Sequence, residues 1–277
     1  MANEILILPD GTEVGTGADI PAVRTSKMPY FTEAVGLLKK DEIVHIIKNP
    51  HRKTARQRFP VETYNRNQGN FGSCNGWAGS KGLEKTRVER GLDYVPLSGE
   101  SLYAQINFNR DQGSILEDGM EAIQKTGVAP LSLVPRGQIY LRQISQEAKD
   151  SMVNYRGLEC YAVSDSETAE LELATGIALG FQAIVAVHAD NAFMKLDNDG
   201  IANGGRGAGN HSVNVDDLGI LPSGELTFDM DNSWGLTYGD KGRAWLTWNR
   251  HLRHTNPYHV FYLIRSTVDG QGNTPFQ

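Results

Sequence analysis

Cysteine is nearly absent from this chain, with two in 277 residues, Cys74 and Cys160. Two thiols cannot build a disulfide framework, so the fold must rest on a hydrophobic core. Long apolar runs are missing as well, and nothing approaches the roughly 18 residues that cross a bilayer. The opening stretch has no basic region and only the short apolar run Ile5-Leu6-Ile7-Leu8, so it does not read as a secretory signal. Long basic runs are missing too, and the net charge is −6. The small cluster His51-Arg52-Lys53 with Arg56 and Arg58 reads as a solvated surface loop. Nucleic acid and membrane are therefore not expected as partners. The expected setting is the cytoplasm or another reducing compartment. What is present, 39% hydrophobic and 22% charged residues, fits one large globular domain or two lobes. There is no internal repeat or low-complexity segment, and oligomeric state is not legible.

One of the two cysteines stands in an unusual setting, Gln68-Gly69-Asn70-Phe71-Gly72-Ser73-Cys74-Asn75-Gly76-Trp77. The residues after Cys74, out to about Arg90, read as a helix. A cysteine at a helix start meets free N–H groups and the positive end of the helix dipole, which favour a thiolate. Gly69 and Gly72 allow a tight bend, and Gln68 offers an amide donor from the same loop. A nucleophile beside such donors suits acyl transfer through an oxyanion. Alone, a lone cysteine is more often a small buried hydrophobe.

Two later stretches favour the chemical reading. Gly209-Asn210-His211-Ser212-Val213 sets a histidine at the start of a strand-like run, and Asp231-Asn232-Ser233-Trp234-Gly235 follows another. His211 and Asn232 lie 137 and 158 residues after Cys74. With Gly239-Asp240-Lys241-Gly242 behind them, these motifs in this order resemble the papain-like cysteine peptidases over residues 53–277. The resemblance implies an α+β, two-lobed fold. Its first lobe would be helical and its second strand-rich and barrel-like, with the active site in the cleft between them. It implies Cys74 as nucleophile, His211 as general base and acid, and Asn232 as the group orienting the imidazole. Trp234 would shield that pair, and Gln68 with the Cys74 N–H would form the oxyanion hole. Gly113, Ser114, Ile115, Leu116 and Ser212 would line the substrate cleft. A peptide or protein would be the substrate, and no cofactor or metal is required. Extracellular members pair a cysteine three residues before the nucleophile with a second one. Here Phe71 holds that position, and a hydrophobic contact is expected in its place. Asn75 stands where the family usually has tryptophan. Rival readings are another cysteine acyl transferase, such as a cell-wall amidase, or a structural, virus-particle protein on the same scaffold.

The rest of the chain supplies further expectations. A hairpin should form around Pro9-Asp10-Gly11, followed by loop to residue 28 and a Thr32-capped helix over 33–38. Residues 1–52 lie outside the resemblance and form an extension. It is expected to belt the surface, the other reading being a removable segment over Cys74. Gly76, Gly79 and Gly82 weaken the helix after Cys74 unless another backbone packs closely there. Helices are expected near 97–103, 115–126, 143–153 and 168–179. Strands are expected at 181–188, 211–218, 226–232, 243–248 and 258–265. Asp197-Asn198-Asp199-Gly200 resembles a calcium loop but lacks its later acidic ligand, since Arg206 stands there. It reads as a turn. Cys160, in a strand-like run, reads as a buried structural thiol. The histidine pair His251 and His254, with no acid or thiol cluster nearby, reads as surface or loop.

Overall fold

A computed structural model describes residues 3–20, 27–63, 65–254 and 261–269. Pro9-Asp10-Gly11 turns the chain between β1 (Ile5–Ile7) and β2 (Glu13–Gly15), with Leu6 opposite Val14. Gly11 takes a left-handed φ of 85° there, which costs a glycine nothing. After β3 (Ala18–Asp19) come three short helices, α1 (Phe31–Ala34), α2 (Lys40–Lys48) and α3 (Ala55–Arg58). Helix α1 is shorter than expected and starts two residues earlier. Glu33 folds back to accept the Tyr30 N–H at 3.1 Å, so Thr32 is inside the helix and caps nothing. The chain then extends, and the Leu38 N–H donates to Thr175 Oγ1 at 3.2 Å.

Helix α4 (Cys74–Glu89) is the central element and is buried nearly along its whole length. On one side lie α5 (Gly99–Ile106), begun by a Ser98 hydroxyl cap, then β4 (Ser114–Ile115), α6 (Leu116–Lys125) and α7 (Gln146–Ser151). The three glycines of α4 do not share one backbone neighbour as expected. A Cβ on Gly76 would lie 2.2 Å from the Gly99 carbonyl oxygen, so two helix backbones touch there. Gly79 and Gly82 instead make room for side chains, Leu102 and Ile123 at one, Ile184 and Ile264 at the other.

On the other side lies a six-stranded antiparallel sheet. Its strands are β5 (Cys160–Ala162), β6 (Gln182–Val187), β7 (His211–Ile220), β8 (Leu226–Asp231), β9 (Arg243–Thr247) and β10 (Tyr262–Ile264), with α8 (Ala169–Ala178) between β5 and β6. Their order across the sheet is β5-β10-β6-β7-β8-β9. Among the described residues the sheet is open, with β5 and β9 at its edges, so the barrel-like closure expected of this lobe is not formed. Part of the strand expected at 258–265 lies outside the described residues.

Strand alternation splits the core in two. Ala183, Val185 and Val187 of β6 face a core built with Leu173, Ile177, Phe193 and Trp234. Ile184 and Ala186 face the other way, toward Leu83, Met120 and Ile123 of the helical side. The basic cluster near residue 52 is solvated at His51, Lys53 and Arg56, but Arg52 and Arg58 are half-buried and paired. Arg52 pairs with Asp217 of β7, Arg58 pairs with Glu89, and Arg58 also donates to the Asp216 carbonyl at 2.7 Å. Among the described residues no helix is long and apolar enough to cross a membrane.

Candidate active site

Helix α4 begins at Cys74, so the thiol sits against the free N–H groups of the first turn. It is fully buried. The backbone N–H groups of Ser212 and Asn75 point at it, but burial outweighs them and pushes the thiol up to about 12, with the nearby Asp111 charge adding to the rise. The sequence predicted a lowered value. Desolvation, which penalises the thiolate, reverses it here.

His211 opens β7 on the opposite wall, directly before the Ser212 N–H that faces the sulfur. Its Nε2 lies 2.8 Å from Asn232 Oδ1. Since that oxygen only accepts, Nε2 carries the proton, which leaves Nδ1 as the basic nitrogen. Nδ1 has no hydrogen-bond partner among the described residues. Trp234 stacks on the imidazole with centroids 4.3 Å apart, and Phe193 and Tyr238 pack edge-on to Trp234. Burial holds His211 down to about 4. Thiol and imidazole are thus both neutral in this arrangement.

Gln68 lies beside them, but its amide is occupied. Nε2 donates to the carbonyl oxygens of Phe71 and Gly15, both at 2.9 Å, while Oε1 accepts from the Ser233 hydroxyl at 2.6 Å. Trp234 Nε1 donates to the same Gly15 oxygen at 3.2 Å. Residues 13–19 run through the cleft. The Gly15 N–H donates to the Gly69 carbonyl, and the Gly17 and Ala18 N–H groups donate to Asn210, each at 2.9 Å. The Ser114 N–H donates to Gly17 at 2.8 Å, and β3 then pairs in parallel with β4. Glycine is required at two of these points. A Cβ on Gly15 would lie 2.3 Å from the Phe71 carbonyl oxygen, and one on Gly17 would lie 2.5 Å from that of Gly72.

The residues expected to line the cleft divide. Gly113, at a left-handed φ of 87°, and Ser114 form its wall against Gly17. Both, with Ile115, border a cavity of about 460 Å³ that Asp19, Phe108, Arg110 and Asp118 also line. Leu116 does not, because the chain turns into α6 after Ile115 and sends Leu116 into the core beside Met120 and Ile123. Ser212 is fully buried and meets the sulfur with its backbone N–H. Trp234 is likewise fully buried over His211.

Two further residues belong to the site: Asn75, met in the sequence only as a departure from the family, and Asp111, which gave no signal there. Asn75 Nδ2 donates to the Ile115 carbonyl at 2.6 Å and to Ser114 Oγ at 3.2 Å, tying the start of α4 to the cleft wall. Trp77 does not take over that position, since it is buried against Gly99 of α5. Asp111 Oδ1 accepts from the Gly72 N–H at 2.8 Å and from the Tyr103 hydroxyl at 2.9 Å, and Tyr103 Oη accepts from the Gly113 N–H at 3.1 Å. This chain joins the loop before Cys74 to the Gly113 wall on the same, helical side. Phe71 also packs against the Tyr103, Ile106 and Ile139 cluster there.

Cys160 is buried on β5 and is also raised to about 12, by burial and then by Glu159, with no base or helix start beside it. Neither cysteine is in a disulfide. Asp197 accepts from the N–H groups of Asp199 and Ile201, which closes the turn expected there. His251 is not on the surface: it is buried, accepting the Thr247 N–H at Nδ1 and donating to Ala202. His259 lies outside the described residues.

Comparison with known proteins bears on the fold. No family model matches the chain, and no curated protein matches it in sequence. Solved structures do match. Xylellain, a cysteine protease from Xylella fastidiosa, is 19% identical at a TM-score of 0.66, over 90% of this chain and 96% of that one. Procathepsin B S9 from Trypanosoma congolense is 15% identical at 0.62, over 89% and 84%. The bromelain protease from Ananas comosus, in complex with the inhibitor E64, is 19% identical at 0.54, over 74% and 93%. The fold is papain-like, with helices on one side and an antiparallel sheet on the other.

Proposed function

We propose that this chain is a cysteine peptidase whose own residues 13–19 hold it in a latent state. The observation that carries the reading is the His211–Asn232 bond under Trp234, opposite a cysteine that begins a helix. In the reaction, His211 Nδ1 takes the Cys74 proton and the thiolate attacks a peptide carbonyl. The oxyanion is met by Gln68 Nε2 and the Cys74 N–H, in the low-dielectric setting where such donors act most strongly. His211 then protonates the leaving amine, and a water it activates hydrolyses the thioester. Asn232 keeps the ring in the tautomer that frees Nδ1. A peptide or protein is the substrate, and the residues need no cofactor for these steps. The chemistry suits a reducing compartment, which keeps Cys74 a thiol.

Latency follows from the Gly15 carbonyl. It already takes the Gln68 donor that the oxyanion needs, and the strand beyond it occupies the wall at Ser114. An epoxide thiol probe with mass mapping tests both parts. The full chain should label slowly. A Gly15→Val/Gly17→Val chain should label fast, at Cys74 and not at Cys160, with peptide hydrolysis appearing in parallel. Equal labelling of both cysteines would overturn the assignment.

A further inference from the structure

Cys74, Lys81 and Lys85 lie seven and four residues apart on α4, so they share one face of the helix. That face looks onto β7 and β8. Opposite the two lysines lies a row of acceptors rather than apolar side chains. Lys85 Nζ donates to Asn214 Oδ1 at 2.8 Å and pairs with Asp216 and Asp231 at 2.5 Å each. Lys81 Nζ donates to Asp231 Oδ1 at 2.6 Å and to the Asn232 carbonyl oxygen at 2.7 Å. Both ammonium groups and both carboxylates are fully buried.

The bond to the Asn232 carbonyl differs from the rest. Strand β8 ends at Asp231, so Asn232 is the first residue past the ladder. Its N–H still donates to the Gly242 carbonyl at 3.0 Å. Its C=O, buried with the residue, accepts from Lys81. A buried carbonyl left unbonded is costly, so the lysine fixes the plane of that peptide. The side chain leaving this peptide carries the Oδ1 that His211 meets. We infer that Lys81 is a positioning residue for the Cys74–His211 pair: through the Asn232 peptide it registers the strand that orients the imidazole to the helix that bears the thiol. The inference rests on the peptidase reading above.

The test uses the full chain and the variant Lys81→Met/Asp231→Asn, which removes one buried charge of each sign and leaves Lys85 paired with Asp216. The readout is the His211 Nε2–H signal in nitrogen–proton NMR, which needs no substrate. The wild type should show one slowly exchanging signal, and Asn232→Ala should abolish it. The paired variant should exchange that proton at least about tenfold faster while its other amide signals stay in place. Where the pair does not fold, Lys81→Gln, one bond shorter, takes the same readout. The second arm is hydrolysis, with Gly15→Val/Gly17→Val as background in every variant. The paired variant should lose about tenfold or more in kcat with KM within about twofold, and adding Asn232→Ala should then cost little more, as coupled residues do. An unchanged Nε2–H signal, or losses that multiply, overturns the role of Lys81 and leaves the peptidase reading standing. No change with Asn232→Ala itself would overturn that reading first.

Discussion

Two segments of the N-terminal fifty residues contact the molecule in different ways. Residues 13–19 meet the cleft through backbone hydrogen bonds, with glycines where a side chain would collide, and bury only Val14 and Ala18 in the two cores. Residues 31–48 keep to the far face of the sheet and are held by apolar side chains. Phe31 and Ile43 are fully buried in its core, with Leu37, Leu38 and Ile47 packed alongside. Backbone bonds exchange for bonds to water at modest net cost when a segment lifts away. Burial of large apolar side chains does not exchange in that way. On the latent reading proposed above, the stretch from Gly15 to Gly17 is the part that must lift from Gln68 and Asn210, while residues 31–48 stay.

This contrast can be broken at several points. The largest effect is expected at Gln68, which belongs to both the segment and the chemistry. In a background opened by Gly15→Val/Gly17→Val, Gln68→Ala should lower kcat by about 10²–10³ with KM little changed, as loss of one oxyanion donor does. A variant with full kcat would leave Gln68 as only a mooring for Gly15. Next comes Ile43→Ala in the second segment, which should destabilise the fold by about 2–5 kcal/mol, read from denaturant midpoints, without raising activity. Activation by Ile43→Ala, with the melt unchanged, would reverse the roles assigned to the two segments. A smaller effect is expected of Gly15→Val/Gly17→Val itself. Forced contacts of this kind cost about 1–3 kcal/mol. Hydrolysis by the full chain should therefore rise about ten- to a hundredfold, while the melting midpoint moves little. Latency that survives the double substitution would show that something else closes the cleft.

The candidate set was legible as residue types in an order that acyl transfer would demand. Cys74, His211 and Asn232 carry that order, and the structure brings His211 and Asn232 to 2.8 Å. Strand β6 was legible as an apolar run, and the alternation of its side chains then divides the two cores. The path of residues 13–19 was not legible. Glycine has no side chain to pattern, and the bonds that hold it are generic backbone groups. Lys81 and Lys85 were illegible for another reason. Lysines inside a helix read as a solvated face, and only the opposing Asp231 and Asp216, about 130 to 150 residues away in sequence, make burial tolerable. Leu116 was misassigned because one residue of strand separates the cleft wall from the core. Asp111 went unnoticed because an isolated aspartate carries no pattern.

The smallest effect at neutral pH, and the most specific to the first segment, is its response to acid. With the cleft closed, burial lowers His211 from 6.5 to about 4 and raises Cys74 from 9.0 to about 12, so both are neutral. Asn232 on the ring works against the first shift, the Ser212 and Asn75 N–H groups work against the second, and Asp111 adds to it. An open cleft would return both groups toward their ordinary values. For His211 the closed state binds fewer protons, so its contribution to closure is complete above about 6.5 and is lost as pH falls toward about 4. For Cys74 the contribution is complete below about 9 and is lost as pH rises toward about 12. Closure should therefore hold best between these limits and loosen first on acidification, where one pH unit below the imidazole value is worth about tenfold. Hydrogen exchange at the Ser114 amide, which donates to Gly17, reads closure directly. Corrected for intrinsic rates, its protection should fall about tenfold between pH 7 and pH 5.5, while amides of α2 keep theirs. Protection that stays level at Ser114, or falls equally in α2, would mean that the cleft segment is not set apart from the one that follows it.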